Sequence, residues 1–322
     1  MLLPLPELPE LLSGVAEAIP RANGTELRRM TPELSAFYSG SEAFRIRAGA
    51  PAGVRIRFAT DARSFAMKIA YGGEARQLYA ADVTVDRGEV RSFTPGSRQE
   101  EFRFECPLPG GEHAVEIALP NLVECPAVEI ELEKGAAVSP LPPRRTILFL
   151  GDSITQGMTV THPALAWPAR YAARHDFDFV NLAVGGATMR ASLGKFALAY
   201  RWQEAFVAYG VNDFTQSRPI PEFLDDARGM LRALLSRPEA IIRLLTPIPL
   251  PDPARRVNAN GDTLQMFRDG LRELAAREFP RVKVIDGCSL VPGDSAFYAD
   301  RLHPNDRGAI LFAENLLDRT RS

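Results

Sequence analysis

Two rhythms of apolar and polar residues divide the chain. From about Ala43 to Val138, short runs alternate in character and are split by Gly, Pro and Asp. Val54-Arg55-Ile56-Arg57-Phe58, Phe102-Arg103-Phe104 and Val115-Glu116-Ile117-Ala118-Leu119 are examples. A period of two sends successive side chains to opposite faces of a strand. With turn signals this frequent, it predicts an antiparallel, jelly-roll-like β-sandwich of about eight strands. From Thr146 the rhythm changes to solid apolar runs alternating with helical patterns. Strands are expected at Thr146–Leu150, Phe177–Val184, Glu204–Tyr209, Ala240–Thr246 and Val282–Asp286. Helices are expected at Trp167–Arg174, about Met189–Ala199, Pro221–Leu235, Thr263–Glu278 and Arg307–Leu317. Apolar strands alternating with helices imply a parallel sheet covered on both faces, a three-layer α/β/α domain.

The same pattern sets the domain boundaries. Residues 1–34 read as an N-terminal extension, with one short helix over Pro9–Ala18 and the rest loop. Residues 35–138 are the sandwich. Residues 139–145, Ser139-Pro140-Leu141-Pro142-Pro143-Arg144-Arg145, form a short stiff linker, and 146–322 form the α/β domain. A length of 322 residues suits two domains.

Charge narrows the range of partners. The 38 Lys and Arg against 40 Asp and Glu give a net charge of −2 with no basic block, which argues against nucleic acid. No apolar stretch reaches membrane-spanning length. Met1-Leu2-Leu3-Pro4-Leu5-Pro6-Glu7 lacks the basic start of a secretion signal, which points to the cytoplasm. Cys106 and Cys125 share the sandwich, where reduced core residues are favoured over a pair, and Cys288 reads as structural. No phosphate-cradling glycine loop and no metal-ligand cluster occurs, so no cofactor is expected. The oligomeric state is open.

Chemistry concentrates at the ends of the α/β strands. Gly151-Asp152-Ser153-Ile154-Thr155 follows directly on the first apolar strand. A serine where a buried strand turns into a helix sits on a rigid scaffold beside free backbone N–H groups, which suits a nucleophile; it equally suits a helix cap. A serine nucleophile needs a base. Of the four histidines, His113 lies in a strand-like stretch and His175 ends a helix, where it suits the dipole. His162 is on the loop after Ser153 with no carboxylate beside it in sequence. His303 differs: in Asp300-Arg301-Leu302-His303-Pro304-Asn305, a carboxylate three residues earlier is within reach of its Nδ1. A surface loop histidine and an Asp/His metal ligand are the rival readings. Two further turns offer donors. Gly186, in Asn181-Leu182-Ala183-Val184-Gly185-Gly186, presents a backbone N–H, and Asn212, in Gly210-Val211-Asn212-Asp213, presents a side-chain amide. Each alone is an ordinary turn signal. Ser153, Gly186 and Asn212 all fall at the C-terminal strand ends, where ligands bind in parallel sheets.

Taken in order, Gly151-Asp152-Ser153, Gly186, Asn212 and His303 resemble the four blocks of the SGNH (GDSL-type) hydrolase family. Phe149-Leu150-Gly151-Asp152-Ser153-Ile154-Thr155-Gln156-Gly157 is similar to the first block, Gly210-Val211-Asn212-Asp213 to the third, and the Asp300–Asn305 stretch to the last. The resemblance covers the chain from Thr146 onward. It implies a flavodoxin-like α/β/α catalytic domain, with Ser153 as nucleophile, His303 as base and Asp300 as its orienting acid. It further implies an oxyanion hole made by the N–H groups of Ser153 and Gly186 and the side chain of Asn212. Ala187 departs from the family, many members of which carry Asp there. Gly-x-Ser-x-Thr is not the Gly-x-Ser-x-Gly nucleophile elbow of α/β-hydrolases, so a shallow, open site is expected.

The function expected is that of a serine esterase acting on short-chain or small-molecule acyl esters through an acyl-enzyme. An acyltransferase moving an acyl group from an ester or thioester to a small alcohol is the alternative. A third reading, from another class, is a non-catalytic ligand- or glycan-binding protein on a hydrolase-like scaffold. A small-molecule ester or thioester is the expected partner, with Thr159 and His162 after the nucleophile, and Pro247 in the Pro247–Pro253 loop, as substrate contacts. A sandwich before this kind of domain resembles some carbohydrate esterases and some GDSL-type acyltransferases. Its aromatics (Phe58, Phe65, Tyr71, Tyr79, Phe93, Phe102, Phe104) fall mostly at core-like positions, which favours a packing role over a sugar platform.

Overall fold

The structure is a computed structural model that describes residues 1–252 and 256–321. Pro253, the last residue of the expected Pro247–Pro253 loop, lies outside the described residues. The chain divides into two compact units. The first comprises Met1–Arg144 with Thr161–Ala164, and the second Arg145–Val160 with Leu165–Ser322.

The first unit is an antiparallel β-sandwich. In chain order it contains β1 (Leu12–Ser13), β2 (Glu17–Arg21), β3 (Gly24–Arg28), α1 (Pro32–Phe37), α2 (Glu42–Gly49), β4 (Arg55–Thr60) and β5 (Ser64–Ala70). Then follow β6 (Ala81–Val85), β7 (Arg91–Phe93), β8 (Glu101–Pro107), β9 (His113–Ala118), β10 (Ala127–Leu132) and β11 (Val138–Pro140). One sheet runs β1-β4-β9-β6-β7 with β11 also paired to β4, and the other runs β2-β3-β10-β5-β8. Alternating residues fill the space between them: Ile56, Phe58, Val115 and Ile117 from the runs named above join Phe65, Met67, Ile69 and Ile130 in one buried cluster. Cys106 and Cys125 are buried free thiols in that cluster, whereas Cys288 is exposed.

The sandwich reaches further along the chain than the sequence pattern suggests. Pro9–Leu11 is a single 3-10 turn that runs into β1, so no helix spans Pro9–Ala18. Residues 17–28 form the hairpin β2–β3, which joins the sheet through β10. The expected linker begins as an edge strand, with Val138, Ser139 and Pro140 opposite Thr60, Ala59 and Phe58. In each case pairing with a distant strand overrides a local propensity that is weak on its own.

The second unit is the expected α/β/α domain. Its elements are β12 (Thr146–Gly151), α3 (Ser153–Gln156), α4 (Trp167–His175), β13 (Asp178–Asn181), α5 (Ala191–Phe196), β14 (Glu204–Ala208), α6 (Val211–Thr215) and α7 (Ile220–Leu234). The chain ends with β15 (Ile241–Leu245), α8 (Leu264–Glu278), β16 (Lys283–Ile285) and α9 (Asp306–Thr320). The five strands are all parallel, in the order β13-β12-β14-β15-β16. This is a doubly wound order in which the chain reverses its winding direction between β12 and β14. The buried aromatics Phe149, Trp167, Phe179, Phe206 and Phe312 pack together in its core. Among the described residues, no helix is long and apolar enough to cross a membrane.

Candidate active site

In doubly wound sheets, the crevice beyond the strand ends at the reversal point is the place for a ligand. Here β12 ends there in Gly151 and β14 in Ala208, and Ser153 and Asn212 follow them. The strand-to-helix turn at Ser153 is unusually tight. A Cβ on Gly151 would stand 2.3 Å from Thr155 Oγ1, 2.6 Å from Thr155 Cβ and 3.0 Å from the Ala208 carbonyl oxygen, so only glycine fits. Asp152 caps α3 by accepting the Ile154 N–H at 3.0 Å, which places Ser153 at the first helical position. Ser153 itself is buried to 4% exposure.

His303 reaches Ser153 across 150 residues of sequence. Its Nε2 lies 2.9 Å from Ser153 Oγ, and its Nδ1 lies 2.8 Å from Asp300 Oδ2. The Asp300–His303 loop is a compact turn. Asp300 Oδ1 accepts the N–H groups of Leu302 and His303 at 2.8 and 2.7 Å, and the Ala299 N–H donates to the His303 carbonyl at 2.9 Å. Asn305 then caps α9 by accepting the Gly308 N–H at 3.0 Å. Burial alone would raise the Asp300 carboxyl, but the hydrogen bonds from the His303 side chain and backbone outweigh it and hold the group below the usual carboxylate range. An ionised carboxylate at Nδ1 selects the tautomer whose Nε2 accepts the serine hydroxyl proton.

Val184–Ala187 is a tight turn. The Ala187 N–H donates to the Val184 carbonyl at 3.0 Å, and Gly186 has φ +83°. A positive φ at the third position, with Gly185 at the second outside the positive region, makes this a type II turn and favours glycine at Gly186. Three side chains hold this turn. Gln156 Oε1 accepts the Gly185 N–H at 2.8 Å, Gln216 Nε2 donates to the Gly186 carbonyl at 3.3 Å, and Asn212 Nδ2 donates to the Ala187 carbonyl at 3.0 Å. Among the described residues, neither the Gly186 N–H nor the Ser153 N–H donates to any protein group.

Behind Asn212 stands a buried ionic network. Arg218 donates to Asp213 Oδ1 at 3.0 Å and to the Met189 carbonyl at 2.7 Å, and also pairs with Asp226. Asp213 Oδ2 accepts the Met189 N–H at 3.2 Å. Burial raises the Asp213 carboxyl above its ordinary value despite these partners. Burial, and then the charge of Asp213, push Asp152 up to about 7.

Ser153, Asp300 and His303 thus come together, with Gly186 and Asn212 joined by one turn. The three expected substrate contacts have other partners. Thr159 Oγ1 donates to the Pro304 carbonyl at 2.8 Å, next to His303. Pro247 accepts Arg268 Nε on its carbonyl at 2.8 Å, and its ring lies against Gly210. His162 belongs to the first unit, where its Nδ1 lies 2.8 Å from Asp82 Oδ2. The remaining histidines stand apart: His113 Nδ1 is 2.5 Å from Asp86 Oδ2, and His175 stacks on Phe177. Gln156 carries a single signal in the sequence, the i, i+3 spacing from Ser153, which puts both on one face of α3.

A serine, a histidine and an aspartate so arranged at the switch point of a doubly wound sheet define a serine hydrolase of the GDSL/SGNH type. The family model for the GDSL-like lipase/acylhydrolase family matches residues 149–310, and the chain belongs to that family. No curated protein matches it by sequence. Among solved structures, it is similar to the "Salicylyl-Acyltransferase SsfX3 from a Tetracycline Biosynthetic Pathway", with 20% identity, TM-score 0.81, and coverage of 95% of this chain and 92% of that one. A putative GDSL-like lipase from Bacteroides ovatus matches with 17% identity, TM-score 0.79, and coverage of 99% of this chain and 96% of that one. An active-site mutant of a family two carbohydrate esterase from Clostridium thermocellum matches with 17% identity, TM-score 0.64, and coverage of 83% and 91%. At these identities the likeness is one of fold.

Proposed function

We propose that the protein is an esterase that cleaves short-chain or small-molecule acyl esters through an acyl-enzyme on Ser153. Ser153 Oγ attacks the ester carbonyl carbon while its proton passes to His303 Nε2, and Asp300 holds the imidazole and balances the positive charge it gains. The oxyanion forms opposite the N–H groups of Ser153 and Gly186 and the amide of Asn212. When the carbon–oxygen bond breaks, His303 returns the proton to the departing alcohol. Water, deprotonated by the same histidine, then attacks the acyl carbonyl and releases the acid and Ser153. The observation that carries this reading is the pair of contacts on His303, 2.9 Å to Ser153 Oγ and 2.8 Å to Asp300 Oδ2.

The acceptor in the second half-reaction is the finer question. The salicylyl-acyltransferase matches nearly the whole chain, which favours a second reading in which an alcohol replaces water and the donor is an ester or thioester. Both readings share the first half-reaction. A scaffold that only bound a ligand would have no use for a serine, imidazole and carboxylate in hydrogen-bonded series.

The test is hydrolysis of p-nitrophenyl acetate and butyrate by the protein and by Ser153→Ala, with small alcohols added in a second series. Turnover that falls by several orders of magnitude in the variant is the expected result. Undiminished turnover in Ser153→Ala would end the reading. Free acid as the product, with alcohol present, identifies water as the acceptor; a new ester identifies acyl transfer.

A further inference from the structure

The Gly185–Gly186 peptide can stand in two orientations. In a type II turn the central peptide is flipped by about 180° relative to type I, and the flip reverses the direction of the Gly186 N–H. Glycines at both central positions leave the backbone free to take either form. The turn in this protein is type II, with φ +83° at Gly186, and among the described residues its Gly186 N–H has no acceptor. Something outside the turn must therefore select the orientation.

Gln156 is placed to do so. It is the last residue of α3, the helix that Ser153 begins, and it is fully buried at 0% exposure. Its Oε1 accepts the Gly185 N–H at 2.8 Å, immediately before the peptide that can flip. On the far side of the same peptide, Gln216, one residue beyond α6, donates from Nε2 to the Gly186 carbonyl at 3.3 Å. Asn212, in α6 itself, holds the Ala187 carbonyl. The turn is thus fastened from the nucleophile helix on one side and from the Asn212 helix on the other.

We infer that Gln156 is a positioning residue for the oxyanion hole, with Gln216 as a weaker second clamp, and that together they hold the Gly186 N–H toward the carbonyl oxygen attacked by Ser153. The inference rests on the acyl-transfer reading of this site. Gln156 touches no reacting atom; it acts through the turn. Because it shares a four-residue helix with Ser153, nucleophile and oxyanion donor are set by one rigid element. A buried acceptor also keeps the Gly185 N–H paired, which a methionine of similar size would not.

The experiment compares Gln156→Met, Gln156→Glu and Gln216→Ala on p-nitrophenyl acetate, and measures inhibition by phenylboronic acid, whose serine adduct is tetrahedral and occupies the oxyanion hole. Losing a whole oxyanion donor costs about a hundred- to a thousandfold in kcat, so losing its support should cost about ten- to a hundredfold. Gln156→Met should show that fall with KM changed less than twofold and with boronate affinity weakened in step with kcat. Gln156→Glu, which keeps an acceptor oxygen, should recover most of both. Gln156→Met with kcat and boronate affinity within twofold of the parent would overturn the inference, as would a fall in kcat with boronate affinity unchanged. If Gln156→Met fails to fold, the exposed change Gln216→Ala decides: a joint fall in kcat and boronate affinity supports the clamp, and no change in either overturns it. Failure of the acyl-transfer reading itself would appear separately, as turnover that survives Ser153→Ala.

Discussion

Asp152 sits one residue before Ser153 with its carboxyl raised to about 7, first by burial and then by the charge of Asp213. A buried carboxyl with a raised value holds a proton in the folded state that the unfolded chain has already released. Its contribution to stability is therefore full below about pH 4 and is lost as pH rises through about 7, at about 1.4 kcal/mol per unit of displacement. Asp300 has the opposite sign: its lowered value stabilises above the ordinary carboxylate range and is lost only in acid. Between pH 5 and pH 8, Asp152 is the group that matters of the two. Asparagine caps a helix as well as aspartate does and does not titrate. Asp152→Asn should therefore lose less stability than the parent between pH 5 and pH 8, as measured by thermal midpoints at both values. An equal fall in both proteins would contradict the assignment. At Asn212 the expectation is kinetic. Its amide holds the Ala187 carbonyl on one side and, in the proposed mechanism, the oxyanion on the other. Asn212→Ala should lower kcat by about a hundred- to a thousandfold in a protein that still folds, checked by steady-state kinetics alongside circular dichroism.

The link between β12 and α3 carries Ser153, the proposed nucleophile, and it is built on one missing side chain. A Cβ at Gly151 would stand 2.3 Å from Thr155 Oγ1 in the helix and 3.0 Å from the Ala208 carbonyl in the neighbouring strand. Gly151→Ala must push helix and strand apart, at a cost of about 1–3 kcal/mol, and should displace Ser153 from His303. Denaturant unfolding should show the loss of stability, and aryl ester turnover should fall by more than tenfold. Parent-like values for both would mean that the turn yields more easily than its contacts suggest. The five strands and the longer helices of this unit are legible in the sequence because each has a strong local signal, whereas α6 is not, since Gly210-Val211-Asn212-Asp213 reads as a turn. The residues at the strand ends were readable for the same reason, since Gly-Asp-Ser, the glycine turn, Gly-Val-Asn-Asp and Asp-x-x-His each sit at a predicted boundary. Gln156 was not, because a glutamine inside a short helix carries no sign of its burial or of the turn it holds. The Thr159 hydroxyl donates to the Pro304 carbonyl, a partner 145 residues away that no local pattern marks.

Among the described residues, each compact unit has a large hydrophobic cluster of its own. The α/β core centres on Phe149 and Phe206, stacked with ring centroids 5.3 Å apart on adjacent strands. Phe206 is fully buried, and Phe206→Ala should cost about 3–5 kcal/mol of stability, measured by chemical denaturation. A cost below about 1 kcal/mol would place the centre of that core elsewhere. The sandwich was legible as a class but not in extent. Alternation located β4, β8 and β9, whereas β2, β3 and β11 are strands only because β10 and β4 offer them partners. Pairing across a hundred residues leaves no trace in a local window, and residues 1–34 were read as helix and loop for that reason. The histidines follow the same division: Asp300 is near His303 in sequence and could be paired with it, while Asp82 is eighty residues from His162.

In the proposed mechanism, Ser153 forms a covalent bond to the reacting group with His303 as its base. The most direct test is reaction with a fluorophosphonate, followed by intact-mass measurement and peptide mapping, for the parent, Ser153→Ala and His303→Ala. One adduct per chain is expected on the peptide containing Ser153, none on Ser153→Ala, and slow or absent labelling of His303→Ala. Labelling elsewhere, or a Ser153 that stays unmodified while the protein hydrolyses esters, would contradict it.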